Sequence, residues 1–312
     1  MRFFPCAVLW ASVAFFGGPP AHAQTTAQTP AAAASEPAPK RGFLWEARKG
    51  DRRIVLLGTI HVGRPEFASL SPDVTARLNE ASVFAVEADA SDAQRSMAAL
   101  QRYALYAENE PTLDKRLDPK LRARLEALLA RYGMNPASIW RMKPWFVTIN
   151  LVLTEFSRAG LNPAQGTEAL LFAIAARDGK RIVEIEGIDL QFKLLDGAAP
   201  SVQMAYLEQT IKSIETGAAE AEGRKIADAW GSRDFAAAEQ LLSTLRAAGG
   251  IAERFVVEQL LDARHPKMLD EIERYAASGQ KHVVAVGSLH YFGPNGLVAG
   301  LRNRGWSVTA SQ

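Results

Sequence analysis

The sequence predicts an α/β (α+β) fold, in which the N- and C-terminal parts form a small central mixed sheet around a large, mainly helical insertion. Two short β-branched runs, 54–57 and 283–286, lie near the two ends of the chain. Each is followed at once by Gly-x-x-His and then by a turn that contains Gly and Pro. Between them, residues 92–278 show mostly the three- and four-residue apolar spacing of helices.

The first elements are a hairpin, a helix and a buried strand. Residues 43–57, interrupted at Gly50-Asp51, predict a hairpin. Ser71 followed by Pro72 has the form of a helix start, which predicts a helix from Pro72 to about Asn79. The apolar run Val83 to Val86 predicts the next strand, parallel to the strand before the helix.

The insertion is predicted to consist of two helical blocks separated by one strand. The apolar spacing predicts helices over 92–108, 118–132, 144–159 and 167–178, and a second block over 189–278. Between the blocks, Arg181 to Ile185 predicts a strand that ends at Glu186. The chain closes with a strand at 282–286, a helix at 294–303 and a strand at 306–309.

The repeated Gly-x-x-His is the strongest functional signal. It is Gly58-Thr59-Ile60-His61 in the first copy and Gly287-Ser288-Leu289-His290 in the second. Strand ends that run into glycine-rich turns form the sites of α/β proteins, so both imidazoles should converge on one crevice. Two His residues with a nearby carboxylate are typical ligands of a hydrolytic metal ion.

Glu87 is the best candidate for that carboxylate. It follows Val83–Val86 without a turn, and an ionisable group at the end of a buried strand needs a partner or a cation. The strand–helix–strand order predicts that His61 and Glu87 lie at neighbouring strand ends. Asp89 would point to the same side, further out.

Five other residues have local explanations as well as functional ones. Glu168 suits the first turn of its helix, with Thr167 as a cap, and it is a possible additional site residue. Glu186 ends a strand and Lys143 precedes Pro144-Trp145, where packing is a sufficient explanation. His265 should act locally at a helix start, and His282 should point away from the site.

Several functional classes are not supported. The 36 basic and 34 acidic residues nearly balance without a long basic run, so nucleic-acid binding is not expected. No Gly-x-Ser-x-Gly, His-Glu-x-x-His or Walker A motif is present. Ser288, two residues from His290, lacks the orienting acid and oxyanion hole of a serine esterase.

The N-terminus predicts export. Arg2, an apolar stretch and Ala21-His22-Ala23 indicate a signal peptide over 1–23, cut after Ala23, although an uncleaved membrane anchor is the alternative. Residues 24–42 predict a disordered leader, and the folded domain should cover 43–312. Cys6, the only cysteine, would leave with the signal. The mature protein should be periplasmic or secreted, without a stable transmembrane span, and its oligomeric state is not predicted.

These motifs together resemble the TraB/PrgY/GumN family, which is related to the Tiki metalloproteases. The resemblance extends from Leu44-Trp45 to Val308, and its specific segments are 56–67, 86–89, 143–145, 166–180 and 284–309. It implies a divalent-metal-dependent hydrolase or protease whose site contains His61, His290 and Glu87. The family often has Asn where this chain has His265, and Asp where it has Glu168.

The preferred hypothesis is therefore a metal-dependent hydrolase, peptidase- or amidase-like, acting on a peptide, protein or envelope component outside the cytoplasm. His61, His290 and Glu87 would bind Mn²⁺, Co²⁺ or Zn²⁺, with Glu87 as a ligand or as the base for a bound water. Arg264 would stabilise negative charge on the substrate. The alternative is a non-enzymatic periplasmic protein that binds a metal, haem or peptide in the same crevice.

Overall fold

The computed structural model describes residues 40–311. The predicted signal peptide and almost all of the predicted leader lie outside them. Six strands form one sheet: β1 (Phe43–Lys49), β2 (Arg52–Thr59), β3 (Val83–Val86), β4 (Arg181–Glu184), β5 (His282–Gly287) and β6 (Ser307–Ala310). The mixed sheet built from both ends of the chain confirms the predicted fold class.

Helices make up most of the remaining chain. They are α1 (Pro72–Glu80), α2 (Ala93–Tyr103), α3 (Leu113–Arg116), α4 (Pro119–Arg131), α5 (Pro144–Arg158), α6 (Thr167–Asp178), α7 (Ile188–Asp196), α8 (Pro200–Glu215), α9 (Ala218–Gly231), α10 (Phe235–Ala248), α11 (Ile251–Arg254), α12 (His265–Ala277) and α13 (Leu297–Asn303). The middle of the chain is thus helical except for β4, as predicted. Across residues 40–311, no helix has both the length and the apolarity needed to cross a bilayer.

The strand order is β4-β3-β5-β2-β1-β6. Strands β2 to β5 pair in parallel, whereas β1 pairs antiparallel with both β2 and β6. The predicted hairpin is therefore present. The C-terminal ends of β2, β3 and β5 consequently lie on the same edge of the sheet.

The order corrects one expectation, because β3 and β2 are not neighbours. Strand β5 lies between them and pairs with both. The apolar run His282–Gly287 is buried at every position, which is the pattern of a strand covered on both faces. The second Gly-x-x-His therefore lies between Glu87 and the first.

The sheet separates two hydrophobic cores. On one face, Leu57, Phe84 and Val283 pack with Val74 of α1 and Leu171 of α6. On the other, residues such as Leu56, Ala85 and Val284 belong to the larger core that includes most of the helical insertion.

One helical segment departs from regular α-helix. Between α11 and α12 the chain forms a π-helical turn at Phe255–Leu261, followed by a 3₁₀ turn at Asp262–Arg264. Such turns are rare and occur frequently at functional sites. Here the segment leads into Arg264 and His265, which are only 3% exposed.

Candidate functional site

The two Gly-x-x-His turns pack directly on each other at the edge of the sheet. The Ser288 hydroxyl donates a hydrogen bond to the Thr59 carbonyl at 2.8 Å. A Cβ at Gly58 would lie only 2.8 Å from that hydroxyl oxygen, so the first glycine is needed for close approach. Ser288 is fully buried and already engaged, which agrees with the rejection of a serine nucleophile.

Glu87 lies beside the second turn and accepts three hydrogen bonds. The Gly287 N–H donates to Oε1 at 2.7 Å, and the Gln191 amide donates to Oε2 at 3.0 Å. A guanidinium N–H of Arg264 also donates to Oε2. Burial raises the pKa of Glu87, against the opposing effect of Arg264, and nearby Glu186 raises it further.

Arg264 is the centre of this buried charge cluster. Its guanidinium also donates to Glu186, with Nε 3.0 Å from Oε1. The remaining terminal nitrogen, Nη1, donates to the Leu260 carbonyl at 2.9 Å and lies 3.2 Å from His290 Nε2. Burial lowers the pKa of Arg264, but the two carboxylates outweigh it and the pKa is raised.

His290 is completely buried and has both ring nitrogens engaged. Its Nε2 faces Arg264, and lies 3.9 Å from Glu87 Oε1. Its Nδ1 lies 3.0 Å from Nε2 of His265. The expectation that His265 acts purely locally was therefore wrong, because the irregular turn before α12 directs its ring against His290.

His61 lies beside Glu168, with Nδ1 3.0 Å from Oε1. Burial lowers the pKa of His61, but the Glu168 carboxylate outweighs it and the pKa is raised. Correspondingly, burial raises the pKa of Glu168, while His61 lowers it and prevails. The other ring nitrogen of His61, Nε2, has no hydrogen-bond partner among residues 40–311.

The loop that carries Glu168 is docked on the first Gly-x-x-His turn. Thr167 exchanges two hydrogen bonds with Ile60, one from its backbone N–H and one to its hydroxyl oxygen. A Cβ at Gly166 would lie 2.5 Å from the His61 carbonyl oxygen. Gly166, not Thr167, is the N-cap of α6. The Gly-Thr-Glu segment therefore positions the carboxylate rather than only starting a helix.

A narrow cavity separates the His61 and Glu87 sides of the site. Its lining includes His61, Glu87, Glu168 and Gln191. The space open to the centre of a water-sized sphere is about 10 Å³, which corresponds to on the order of one water or one ion. Within the described residues, Glu168 Oε2, Gln191 Oε1 and His61 Nε2 are buried there without a hydrogen-bond partner.

These open atoms fit a cation or a small hydrogen-bonding ligand. An unsatisfied buried polar atom costs about 1–3 kcal/mol, so several around one cavity indicate a missing partner. Imidazole nitrogen and carboxylate oxygen are suitable donor atoms for Zn²⁺ and similar ions. Within residues 40–311, however, no three His, Cys, Asp or Glu side chains are already grouped as a metal site. His290 in particular offers its Nε2 lone pair to Arg264.

Other residues singled out from the sequence lie apart from the cavity. Asp89 accepts hydrogen bonds from the backbone and hydroxyl of Ser91, which is a local turn interaction. Lys143 pairs with Asp196 at 2.6 Å and lines a separate cleft. His282 begins β5 at the opposite edge from His290, as expected from the sequence.

Sequence reasoning did not identify Gln191 and gave Glu186 and His265 little weight. Gln191 lies in the first turn of α7, where no motif marks it. Glu186 follows a predicted strand, as Glu87 does, but other charged residues nearby made it look like an ordinary surface residue. The juxtaposition of Arg264 and His265 with His290 depends on the π-helical turn, which apolar spacing does not predict.

Comparison with known proteins identifies the family to which the chain belongs. The model of the TraB/PrgY/gumN family matches residues 43–310. An uncharacterized protein of Treponema pallidum (strain Nichols) is 24% identical over 278 residues, covering 85% of this chain and 81% of that protein. The uncharacterized protein YbaP of Escherichia coli (strain K12) is 25% identical over 169 residues, 54% of this chain.

The YbaP match spans 61% of that relative, which is less than two thirds of its length. YbaP of Shigella flexneri matches equally, at 25% over 169 residues. No solved structure matches the chain. The family match covers every strand and every helix described above, including both Gly-x-x-His turns and Glu87. The chain therefore belongs to the TraB/PrgY/gumN family.

Proposed function

We propose that the protein is a divalent-metal-dependent hydrolase of amide or peptide bonds that acts outside the cytoplasm. The observation that carries this proposal is His61, a buried imidazole that contacts Glu168 through Nδ1 and whose Nε2 has no hydrogen-bond partner among residues 40–311. It faces the same cavity as Glu87 and Glu168. Leaving such atoms unpaired is costly, and a bound ion and its water would satisfy them.

His61 and Glu168 would hold the ion, and Glu87 would be either a third ligand or the base for the bound water. His290 would join them only if Arg264 turned its N–H away from Nε2, because that lone pair is otherwise occupied. Mn²⁺, Co²⁺ and Zn²⁺ all remain candidates. When bound, the ion would lower the pKa of a water molecule and polarise the substrate carbonyl.

The remaining chemistry falls to side chains of this protein. Glu87, whose pKa is raised by burial, is suited to take a proton from the attacking water. Arg264 supplies a fixed positive charge next to it for the developing oxyanion. Glu168 holds the His61 ring in place through the contact at Nδ1.

The cavity limits what enters the site. It offers only about 10 Å³ to the centre of a water-sized sphere, far less than the roughly 300–1,000 Å³ of pockets that enclose a whole ligand. Because the ion or its water would fill this space, a substrate would have to present its reacting bond at the opening of the cavity. This suits an exposed peptide or amide bond of an exported protein, peptide or envelope component. Enclosure of haem in this space is not supported.

The alternative is a protein that binds a metal or peptide without catalysis. It is favoured by one observation: the oxygens of Glu87 already accept three hydrogen bonds, as expected of a structural carboxylate. The two functions differ in what they require of Glu87, and a substitution that keeps its shape separates them.

The test is hydrolysis of a fluorescence-quenched random peptide pool by protein stripped of metal and reloaded with Mn²⁺, Co²⁺ or Zn²⁺. Wild type and the control His282→Ala should cleave only after reloading. Glu87→Gln should keep its circular-dichroism spectrum but lose turnover. Ion binding by wild type without cleavage of the pool, with Glu87→Gln indistinguishable from it, would support the binding alternative.

A further inference from the structure

His265 contacts His290 from outside the buried charge cluster of Arg264, Glu87 and Glu186. It is 3% exposed and begins α12, directly after Arg264. Its ring meets that of His290 edge to face, with the centroids 5.1 Å apart. The ring nitrogens are 3.0 Å apart, within hydrogen-bond distance. In a hydrogen bond between two buried imidazoles, one ring nitrogen must donate the proton and the other must accept it.

The groups at the two ends of this pair settle the direction. His265 Nδ1 lies 2.7 Å from the Asn295 carbonyl oxygen, which only accepts, so Nδ1 of His265 carries a proton. At the other end, His290 Nε2 faces a guanidinium N–H of Arg264, which only donates. His290 Nε2 is therefore unprotonated, and its proton is on Nδ1, where His265 Nε2 accepts it.

From this geometry we propose that His265 is a positioning residue, which holds His290 in the Nδ1–H tautomer with the Nε2 lone pair directed towards Arg264 and Glu87. The role resembles that of the outer hydrogen-bond partners that fix the tautomer of metal-binding histidines. A residue without an acceptor at position 265 would remove the group that accepts the proton of His290 Nδ1–H.

The consequence for the site rests on the proposed function. Only the Nε2 lone pair of His290 is oriented towards Glu87, at 3.9 Å from Oε1. With the opposite tautomer, Nε2 would carry a proton aimed at the Arg264 N–H and would be unable to bind an ion. His265 thus keeps His290 ready to bind whenever Arg264 withdraws its N–H.

The tautomer itself is measurable without metal or substrate. Protein labelled with ¹⁵N-histidine and freed of metal is examined by long-range ¹H–¹⁵N correlation spectra. Wild type should show His290 in a single Nδ1–H form, with a coupling across the hydrogen bond to His265 Nε2. A proton on His290 Nε2, or no coupling between the two rings, would overturn the proposal and needs no variant.

Two variants then separate positioning from packing. His265→Phe keeps a flat ring but offers no acceptor, so the single His290 pattern should be replaced by a mixed or broadened one. His265→Gln retains an acceptor oxygen and should keep the wild-type pattern. His282→Phe controls for loss of another buried imidazole. An unchanged His290 spectrum in folded His265→Phe would mean that Arg264 alone sets the tautomer.

Metal affinity gives a second readout. In Zn²⁺ and Mn²⁺ titrations followed by calorimetry, His265→Phe should bind about 10–100-fold more weakly than wild type, and His265→Gln should recover most of the loss. Equal affinity in all three proteins would overturn the link between tautomer and binding. If wild type binds neither ion, the proposed function fails, whereas the tautomer spectra still decide the role of His265.

Discussion

Replacement of Arg264 by Met should be strongly destabilising. The side chain of Arg264 and those of Glu87 and Glu186 are almost entirely buried, with relative exposures of 2%, 7% and 1%. Met has a similar length but no charge, so the substitution leaves two carboxylates buried without their cation. Removing one partner of a buried ion pair costs about 3–5 kcal/mol, and here two carboxylates lose the same positively charged partner.

That loss is a large part of the roughly 5–15 kcal/mol that stabilises an ordinary domain. The assay is urea unfolding followed by circular dichroism at pH 7, with the free energy of unfolding extrapolated to water. Arg124→Met is the matched control. Arg124 makes a similar two-pronged contact with Glu215, but at the surface, so its loss should cost about 1 kcal/mol or less.

A second substitution tests the cause. In the Arg264→Met background, Glu186→Gln removes one of the two buried carboxylates that have lost their cation, so it should restore part of the lost stability. If Arg264→Met costs no more than Arg124→Met, the buried cluster does not carry the charges assigned to it. If Glu186→Gln destabilises the double variant further, unpaired charge is not the reason for the loss.

Two more predictions concern pH and close packing. Burial raises the pKa of Glu222 from 4.5 to about 8, so the folded protein binds an extra proton between these values and stability falls as pH rises through them. Glu222→Gln should therefore be more stable than wild type by up to about 4–5 kcal/mol above pH 8 and by little below pH 4.5. The control Glu220→Gln, on the exposed side of the same helix, should show no such trend. A difference between Glu222→Gln and wild type that does not change with pH in urea unfolding would contradict the prediction. Gly166→Ala would place a Cβ 2.5 Å from the His61 carbonyl oxygen, so it should cost about 1–3 kcal/mol of stability and weaken metal binding; a variant equal to wild type in both would show that the loop is free to move.

The sheet and the two turns were predictable because their signals are local. A β-branched run followed by Gly-x-x-His is visible within eight residues, and both copies form strand and turn as predicted. The hairpin before His61 was similarly marked by Gly50-Asp51. The prediction that β2 and β3 are neighbours was wrong. Nothing in the local sequence indicates that β5, about 200 residues later, inserts between them.

The partners of the site residues were the harder part. Gln191 reaches Glu87 from the first turn of α7, and the pairing joins positions 104 residues apart. His265, which meets His290, follows a π-helical turn at Phe255–Leu261 and a 3₁₀ turn at Asp262–Arg264. Apolar periodicity assumes regular helix, so it cannot place a residue that follows a π-helical turn.

The central claim is that His61 is part of a metal site, and metal content tests it most directly. Wild type, His61→Ala, His61→Ala with His290→Ala, and the control His282→Ala are equilibrated with Mn²⁺, Co²⁺ or Zn²⁺, desalted and analysed by mass spectrometry. We predict about one ion per chain in wild type and in the His282 control, and little or none in both His61 variants. Equal content in wild type and His61→Ala, or no ion retained by wild type, would contradict the claim.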